Sequence, residues 1–271
     1  MDIIQRNFFR LLRAGSFGND DPIEPMSAFK WRRLFQMVEA QHVADIFLKG
    51  VEKHRGEPGM NAPDNIIAAA KKKADSLPGI AETIRQPIGM SAGILDKRFQ
   101  KVLNDERHSI DTSVEAMDLL RLIVINEQNF LNQGIMMKGI VQMGQFLREK
   151  GNRVDFVKLD NWLQQLQLQN IAQLQGSILI DVFDFEQSEL PFVHRHVVQA
   201  RKLAIASVSD LAKDAALEWH FRQTQTGFVS NNSAVMRRNL HRSIRYVPYA
   251  PVETVCNFFC NLAKSLSEIE E

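Results

Sequence analysis

The sequence predicts an all-α protein, built as a multi-helix, bundle-like array. Three observations lead to this fold class. Apolar residues recur at three- and four-residue steps along most of the chain, as Ile4, Phe8, Leu11 and Leu12 do near its start. Helix breakers are concentrated in a few short stretches, and the weakly patterned segment from the breakers at 56–65 to about residue 112 is too short for a sheet-based catalytic domain, since each βαβ unit takes roughly 30 residues. The composition, 45% hydrophobic and 24% charged, is that of an ordinary globular chain.

The first 55 residues are predicted to form an N-terminal helical arm. The opening helix is ended by the breakers Gly15, Gly18 and Pro22. Ser27 is suited to cap the next helix, because its hydroxyl can accept a hydrogen bond from a free backbone N–H. The apolar positions that follow, from residue 29 to 51, indicate a helical hairpin or one bent helix.

Residues 56–112 are predicted to be an irregular segment with short helices. Glycine, proline and asparagine are concentrated at 56–65, which marks the best internal boundary. Short helices are predicted at 64–77 and 94–107, and the prolines between them leave room for short strand elements near 78–93.

Residues 113–271 are predicted to form a C-terminal helical domain. The predicted helices lie at about 113–131, 134–150, 155–168, 169–185, 191–217, 233–246 and 252–268. The β-branched residues from 177 to 185 also suit a strand, but they continue the helical spacing of Ile171 and Leu174. The sequence shows no internal repeat.

Charge, apolar runs and cysteines restrict the class of protein. The formal net charge is +1, so only a local patch could attract nucleic acid or anionic lipid. No apolar run approaches the roughly 20 residues that span a bilayer, and basic residues interrupt the N-terminal helix where a signal peptide needs an apolar core. Cys256 and Cys260 are expected to be buried free thiols. A cytoplasmic protein is the expectation.

Three stretches of the chain resemble the uncharacterised bacterial nucleotidyltransferases, in which helical parts flank a nucleotidyltransferase core. The first contains Trp31, Leu34 and the His42-Val43 step, as in that family's opening helices. The second runs from residue 120 to 183 and the third from 237 to the final apolar helix. Together they cover roughly two thirds of the chain, and the resemblance implies a shared ancestry for its helical parts.

The core of that family is missing from the sequence. The resemblance implies a strand with two carboxylates at alternate positions, which hold divalent metal ions, and a Gly-Ser turn before it. The interval before residue 120 contains no such alternating pair. Gly176-Ser177 followed by Asp184 and Glu186 imitates the pattern, but the spacing is too short and the segment is predicted to be a helix. The common phosphate, dinucleotide, zinc and serine-nucleophile motifs are also absent.

One stretch has an unusual charge. From Trp219 to Val252 there is no aspartate or glutamate, and the basic residues at helical spacing form a candidate ligand-binding face: Arg237, Arg238, His241, Arg242 and Arg245. Phosphate or an acidic partner could bind there, with Tyr246 and Tyr249 available for stacking. The alternative is that these arginines pair with acids elsewhere in the fold.

The sequence therefore favours a non-catalytic helical relative of the nucleotidyltransferases. It would act as a binding or regulatory module for a protein partner or a phosphate-bearing ligand, without a cofactor and without a membrane. A first alternative is a divergent nucleotidyltransferase, which would need Mg²⁺. A second is a nucleic-acid-binding protein that uses the basic C-terminal face.

Overall fold

The computed structural model describes the backbone of residues 1–224 and 244–267, and the side chains of residues 1–212 and 244–263. Within these ranges the chain forms α-helices and two short 3-10 turns and contains no strand. The all-α prediction is confirmed. The helices are α1 (Ile3–Phe17), α2 (Ala28–Ala40), α3 (Ala44–Lys53), α4 (Asp64–Ala74), α5 (Ile80–Arg85), α6 (Gly93–Arg107), α7 (Val114–Asn132), α8 (Met137–Lys150), α9 (Phe156–Gln165), α10 (Gln169–Phe183), α11 (Ala200–Thr224) and α12 (Pro251–Ser267).

Helices α1 to α4 pack together at the N-terminal end, where α1 and α3 make the closest crossing. Gly50 of α3 lies against the backbone of α1, and a Cβ atom at this position would overlap the carbonyl oxygen of Leu11. The stretch between α1 and α2 is irregular but fixed. Asn7 bonds both backbone polar groups of Glu24, at 2.7 and 3.1 Å, and Asn61 does the same for Met26, at 2.9 and 3.2 Å. Side-chain amides thus replace the backbone hydrogen bonds that an irregular segment lacks.

Helices α7, α8 and α10 form the centre of the second half. Gly139 of α8 lies so close to α7 that a Cβ atom there would overlap Asn126 Oδ1. The buried amide of Asn126 donates to Gln175 Oε1 of α10 at 3.1 Å, and Gln175 donates back to the carbonyl oxygen of Ile123 at 3.0 Å. This network fixes the relative positions of the three helices, because each buried amide finds its partner only in one arrangement.

The buried apolar side chains of the described residues form one continuous cluster. Its members come from 1–55, from 56–112 and from the residues after 113. Helix α11 packs on both α2 and α10, so it also connects the N-terminal helices to the second half. The proposed division into three parts stays a prediction, but these parts share a core.

Two segments differ from the sequence predictions. Residues 78–93 contain the helix α5 in place of short strands, and Glu82 caps it by accepting a hydrogen bond from the Gly79 N–H at 3.2 Å. The helix predicted to begin at Pro191 begins instead at Ala200.

Residues 191–199 are irregular because buried side chains of α10 bond their backbone. Gln173 Nε2 donates to the Phe192 carbonyl oxygen, while Gln173 Oε1 and Ser177 Oγ accept from the N–H groups of Arg195 and Val197, all at 2.8 Å. These bonds fix the segment in a conformation that a helix cannot adopt.

Smaller differences concern the other helices. The region from 29 to 51 is two helices separated at Gln41 to Val43, where His42 adopts a left-handed conformation with φ of 53°. The segment with strand-like composition, 177–183, is helical as predicted, and Asp184 ends α10 with φ of 56°. The helix predicted at 233–246 lies almost entirely outside the described residues. In the part of the chain that is described, no helix is long and apolar enough to cross a membrane.

Candidate functional site

The basic C-terminal face is described at one residue only. Arg237, Arg238, His241 and Arg242 lie outside the described residues. Arg245 forms an ion pair with Asp210 of α11, with 2.8 Å between the guanidinium nitrogen and the carboxylate oxygen. Arg245 is therefore paired with an acid within the fold, as the alternative interpretation of the basic residues predicts.

The aromatic residues beside this face have different roles. Tyr246, 2% exposed, packs against Phe130 with 5.7 Å between ring centroids, so the prediction that it is available for stacking is wrong. Tyr249 is half-buried and lines a cavity of about 380 Å³ together with Arg195.

The residues that imitate a catalytic turn have structural roles, and so do two histidines of the segment before α11. Asp184 accepts hydrogen bonds from Arg13 at 3.0 Å and from Asn19 at 3.3 Å, and Gly176 lies inside α10 against Val193. The segment that resembles a catalytic turn is therefore part of the helix α10, and Asp184 is the residue that ends this helix. His194 and His196 are on the surface, where they contact Asp160 and Asp181.

The two cysteines are free, as predicted, but they are not buried: Cys256 is half-buried and Cys260 is exposed. Among the described residues, no group of three or more histidine, cysteine, aspartate or glutamate side chains is placed to hold a metal ion.

A different site lies where the three predicted parts of the chain meet, and we call it the junction pocket. It is a cavity of about 470 Å³, within the range of roughly 300 to 1,000 Å³ that is typical of small-molecule sites. Its walls come from the α2–α3 turn, from α5 and the loop before it, and from α7 and α8. The lining residues are His42, Ser76, Leu77, Pro78, Thr83, Gln86, Ile125, Asn129, Gln133, Met136, Lys138, Gly139 and Gln142.

One buried hydrogen bond determines the position of the two basic groups in this pocket. The N–H of Met137, at the start of α8, donates to Gln41 Oε1 at 2.6 Å. Gln41 is fully buried, and its Nε2 finds no acceptor among the described residues. His42 and Lys138 are the next residues in sequence on the two sides of this bond. The bond therefore brings an imidazole and an ammonium group to the same wall of the pocket.

The electrostatics of this wall are positive. Burial lowers the pKa of His42, and the nearby charges of Lys138 and Lys73 lower it further. Burial also lowers the pKa of Lys138, although the charges of Asp45 and Glu82 oppose the change. No aspartate or glutamate is among the lining residues. The amino end of α8, where Met137 begins the helix beside this wall, adds a partial positive charge because its first backbone N–H groups have no acceptor within the helix.

The rest of the pocket combines amide and apolar groups. Gln86, Asn129, Gln133 and Gln142 bring amides, and Leu77, Pro78, Ile125 and Met136 bring apolar surface. Gln142 Nε2 already donates to the carbonyl oxygen of Pro78 at 3.3 Å, and this bond holds the loop before α5 against α8. Such a lining can hold a molecule with an apolar part, several hydrogen-bonding groups and one anionic group.

The fold and the pocket together define an all-α protein with a basic, amide-rich cavity at the junction of its helical parts. The chain matches no protein-family model, no curated protein and no solved structure. The resemblance to nucleotidyltransferases therefore stays a prediction from the sequence.

Sequence reasoning did not find the junction pocket. Its residues come from distant segments, and none of these segments carries a known motif. In the sequence, His42 stands out only through the family resemblance, and Lys138 is one residue of a predicted helix. The pocket depends on the contact between Gln41 and Met137. These residues are 96 positions apart, and no local sequence pattern indicates that they meet.

Proposed function

We propose that this protein is a non-catalytic binding protein whose ligand is a small molecule with a phosphate or a similar anionic group, held in the junction pocket. The observation that carries the proposal is the Gln41–Met137 hydrogen bond, which places His42 and Lys138 together at a pocket whose lining residues include no carboxylate, although Asp45 and Glu82 act on Lys138 from outside the lining. When His42 is protonated, its charge and that of Lys138 repel one another in this partly buried site, and a bound anion removes this repulsion.

The position of the anionic group follows from the same wall. The ammonium of Lys138 makes no ion pair with any described residue, so it is available to a ligand. The amino end of α8 favours negative charge for the same reason that phosphates bind at helix amino ends elsewhere. The unpartnered Nε2 of Gln41 adds a buried donor beside this wall.

Nucleotidyl transfer receives less support than binding. Residues 56–112, where the family resemblance would place a catalytic sheet, are all described and form helices and turns. The paired carboxylates of that chemistry would need a strand or an equivalent scaffold there, and Mg²⁺ would be required only for this alternative. Binding of a protein partner or of nucleic acid stays a prediction. It concerns mainly the basic C-terminal face, most of which lies outside the described residues. The two free cysteines are consistent with a cytoplasmic location, which we also propose.

The experiment compares matched pairs of compounds by calorimetry and by thermal shift. The probes are inorganic phosphate, a sugar phosphate with its parent sugar, and a nucleoside monophosphate with its nucleoside. We expect at least one phosphorylated probe to bind, and its unphosphorylated partner to bind at least about tenfold more weakly, which corresponds to about 1.4 kcal/mol.

Variants connect the binding to the pocket. Lys138→Gln should weaken binding of the phosphorylated probe about tenfold or more, because it removes the free charge at the wall. Lys72→Gln is the matched control, since Lys72 is an exposed lysine of α4 outside the pocket. Equal binding by wild type and Lys138→Gln, or no preference for the phosphorylated compound of each pair, would disprove the proposal.

A further inference from the structure

The C-terminal helix α12 is attached to the protein through its polar side. Glu253, Thr254 and Asn257 are all at most 4% exposed, whereas Val252, Val255 and Phe259 are 40%, 50% and 60% exposed. A surface helix normally buries its apolar face. The attachment of α12 therefore depends on polar contacts near its amino end more than on apolar packing.

Glu253 makes most of these contacts. Its Oε1 accepts a hydrogen bond from the Ala92 N–H at 2.9 Å, and its Oε2 accepts from the Ser91 N–H at 2.7 Å. The side chain of Gln128, on α7, donates to the same Oε2 at 3.2 Å. Both carboxylate oxygens act as acceptors, which is how an ionised carboxylate behaves.

A second buried carboxyl group lies beside it. Glu127 of α7 is 0% exposed, and its Oε2 accepts from the same Gln128 Nε2 at 3.3 Å. One amide group thus bridges the carboxyl groups of Glu127 and Glu253. The other oxygen of Glu127, Oε1, has no partner among the described residues, and neither does Asn257 Nδ2. No described basic side chain forms an ion pair with either glutamate, so the described part of the chain supplies this pair of acids with no compensating charge.

Two buried carboxylates that share one amide donor cannot both carry a charge without a large cost. Burial and the charge of Glu253 raise the pKa of Glu127 well above its ordinary value. Glu127 is therefore the member of the pair that holds a proton.

We propose that Glu127, Gln128 and Glu253 form a proton-dependent latch that holds α12 on the protein when Glu127 is uncharged and weakens when Glu127 releases its proton. Ionisation leaves two buried negative charges joined by one amide. Separation of α12 from α7 brings water to both carboxylates and removes the repulsion. The latch thus opens as the pH rises.

The other titratable groups on the elements that form the latch have different environments. Asp96, next to the loop that Glu253 holds, accepts the Met90 N–H at 2.9 Å. Asp118 of α7 also has a raised pKa, caused mainly by its burial, but the charges that act on it are those of Lys150, Arg121 and Glu115. Cys256 and Cys260 are the thiols of α12 itself, and neither is buried.

The test is hydrogen exchange of the α12 amides over a range of pH, with each rate corrected for the intrinsic base-catalysed exchange. One proton is released on opening between the ordinary pKa of glutamate and the raised pKa of Glu127. The open population of α12 should therefore rise about tenfold per pH unit in this range and level off above it. In Glu127→Gln, which keeps the shape of the side chain without a titratable group, the open population should not change with pH.

Two controls separate the latch from other causes. Glu115→Gln, on the same helix, removes a carboxylate that pairs with Arg153 at the surface at 3.4 Å, and it should keep the wild-type pH profile. A ¹³C titration of the glutamate carboxyl groups, with Glu127 assigned by its loss in Glu127→Gln, should show a transition well above the ordinary range. This titration is measured on the wild type, so it remains informative even if α12 is detached in Glu127→Gln.

Three results would overturn the proposal. The first is pH-independent protection of α12 in the wild type, and the second is a normal titration of Glu127. The third is protection at high pH that disappears when a chelator is added, because a bound cation would then be neutralising the pair in place of the proton.

Discussion

At the scale of single residues, polar side chains in or next to buried positions determine much of the local structure of this protein. Asn7 and Asn61 replace missing backbone bonds, Gln173 shapes an irregular segment, and Gln41 joins two distant turns. Each makes hydrogen bonds that decide where neighbouring residues lie. Polar residues of this kind are hard to recognise in a sequence, because a surface glutamine and a buried one have the same letter and often the same neighbours.

His42 gives a prediction at this scale. Because burial and Lys138 lower its pKa, the folded protein binds a proton at His42 less readily than the unfolded chain does. The free energy of unfolding should therefore fall as the pH falls through the unfolded value of about 6.5 toward the lower folded value. In His42→Gln this loss should be absent. Urea unfolding between about pH 5.5 and 8, in a buffer without phosphate, measures it.

His108→Gln provides the comparison, since His108 is exposed and its ring bonds only the carbonyl oxygen of Asn104, at 2.8 Å. This variant should keep the pH profile of the wild type. An unchanged profile in His42→Gln would show that this histidine is not held in the partly buried, positive position described for it. A bound anion should reverse the trend, because protonated His42 then becomes favourable and affinity rises as the pH falls.

At the scale of helices, local sequence determines where each helix begins and ends. How the helices pack depends instead on a few positions where two helix backbones come close together. Ser27, Ser113 and Asp155 cap three helices by accepting N–H bonds, and residues of these types at helix starts are visible in the sequence. The crossing of α7 and α8, in contrast, depends on Gly139, which lies against Asn126 and next to Lys138.

Gly139→Ala should therefore disturb both the packing and the pocket. The added methyl group overlaps Asn126 Oδ1, so α8 must move away from α7 and the buried amide network must shift. We expect a loss of about 1 to 3 kcal/mol in the free energy of unfolding, the usual range for overpacking. Binding of the phosphorylated probe should weaken as well. Chemical denaturation and calorimetry on the same variant measure the two effects.

Gly93→Ala is the matched control for this variant. Gly93 is the first residue of α6, and a Cβ atom there meets nothing within 4 Å. The substitution should leave stability unchanged or raise it by about 0.4 to 1 kcal/mol, because alanine has less freedom in the unfolded chain. Equal effects of the two substitutions would argue against a close approach at Gly139.

At the scale of the whole molecule, the buried apolar cluster joins residues from all three predicted parts. The junction pocket lies where these parts meet, so its geometry depends on all of them remaining together. Ligand pockets commonly form at such junctions, because the surfaces of separately folded elements leave concave space between them.

We therefore expect one cooperative unfolding transition. Circular dichroism, which reports the helices, and the fluorescence of a Trp219→Phe variant, which reports only Trp31 and Trp162 in the two halves of the core, should give the same urea midpoint. A phosphorylated probe that binds should shift both curves equally. Two separate midpoints would mean that the parts unfold independently, as the predicted division at residue 56 allows.

The sequence by itself determined the all-α class and most of the helices, because apolar spacing, capping residues and breakers act within a few positions along the chain. It placed α10 correctly despite strand-like residues, and it located the break around residues 56–65. It missed the irregular segment at 191–199, since local spacing there permits a helix that Gln173 and Ser177 prevent from another part of the chain. It also assigned Tyr246 to a binding face, although Phe130 buries it. Only the tertiary structure brought His42 to Lys138 and Glu127 to Glu253. Such pairs form between residues about 100 positions apart, and their energies depend on distance and burial, which no local pattern records.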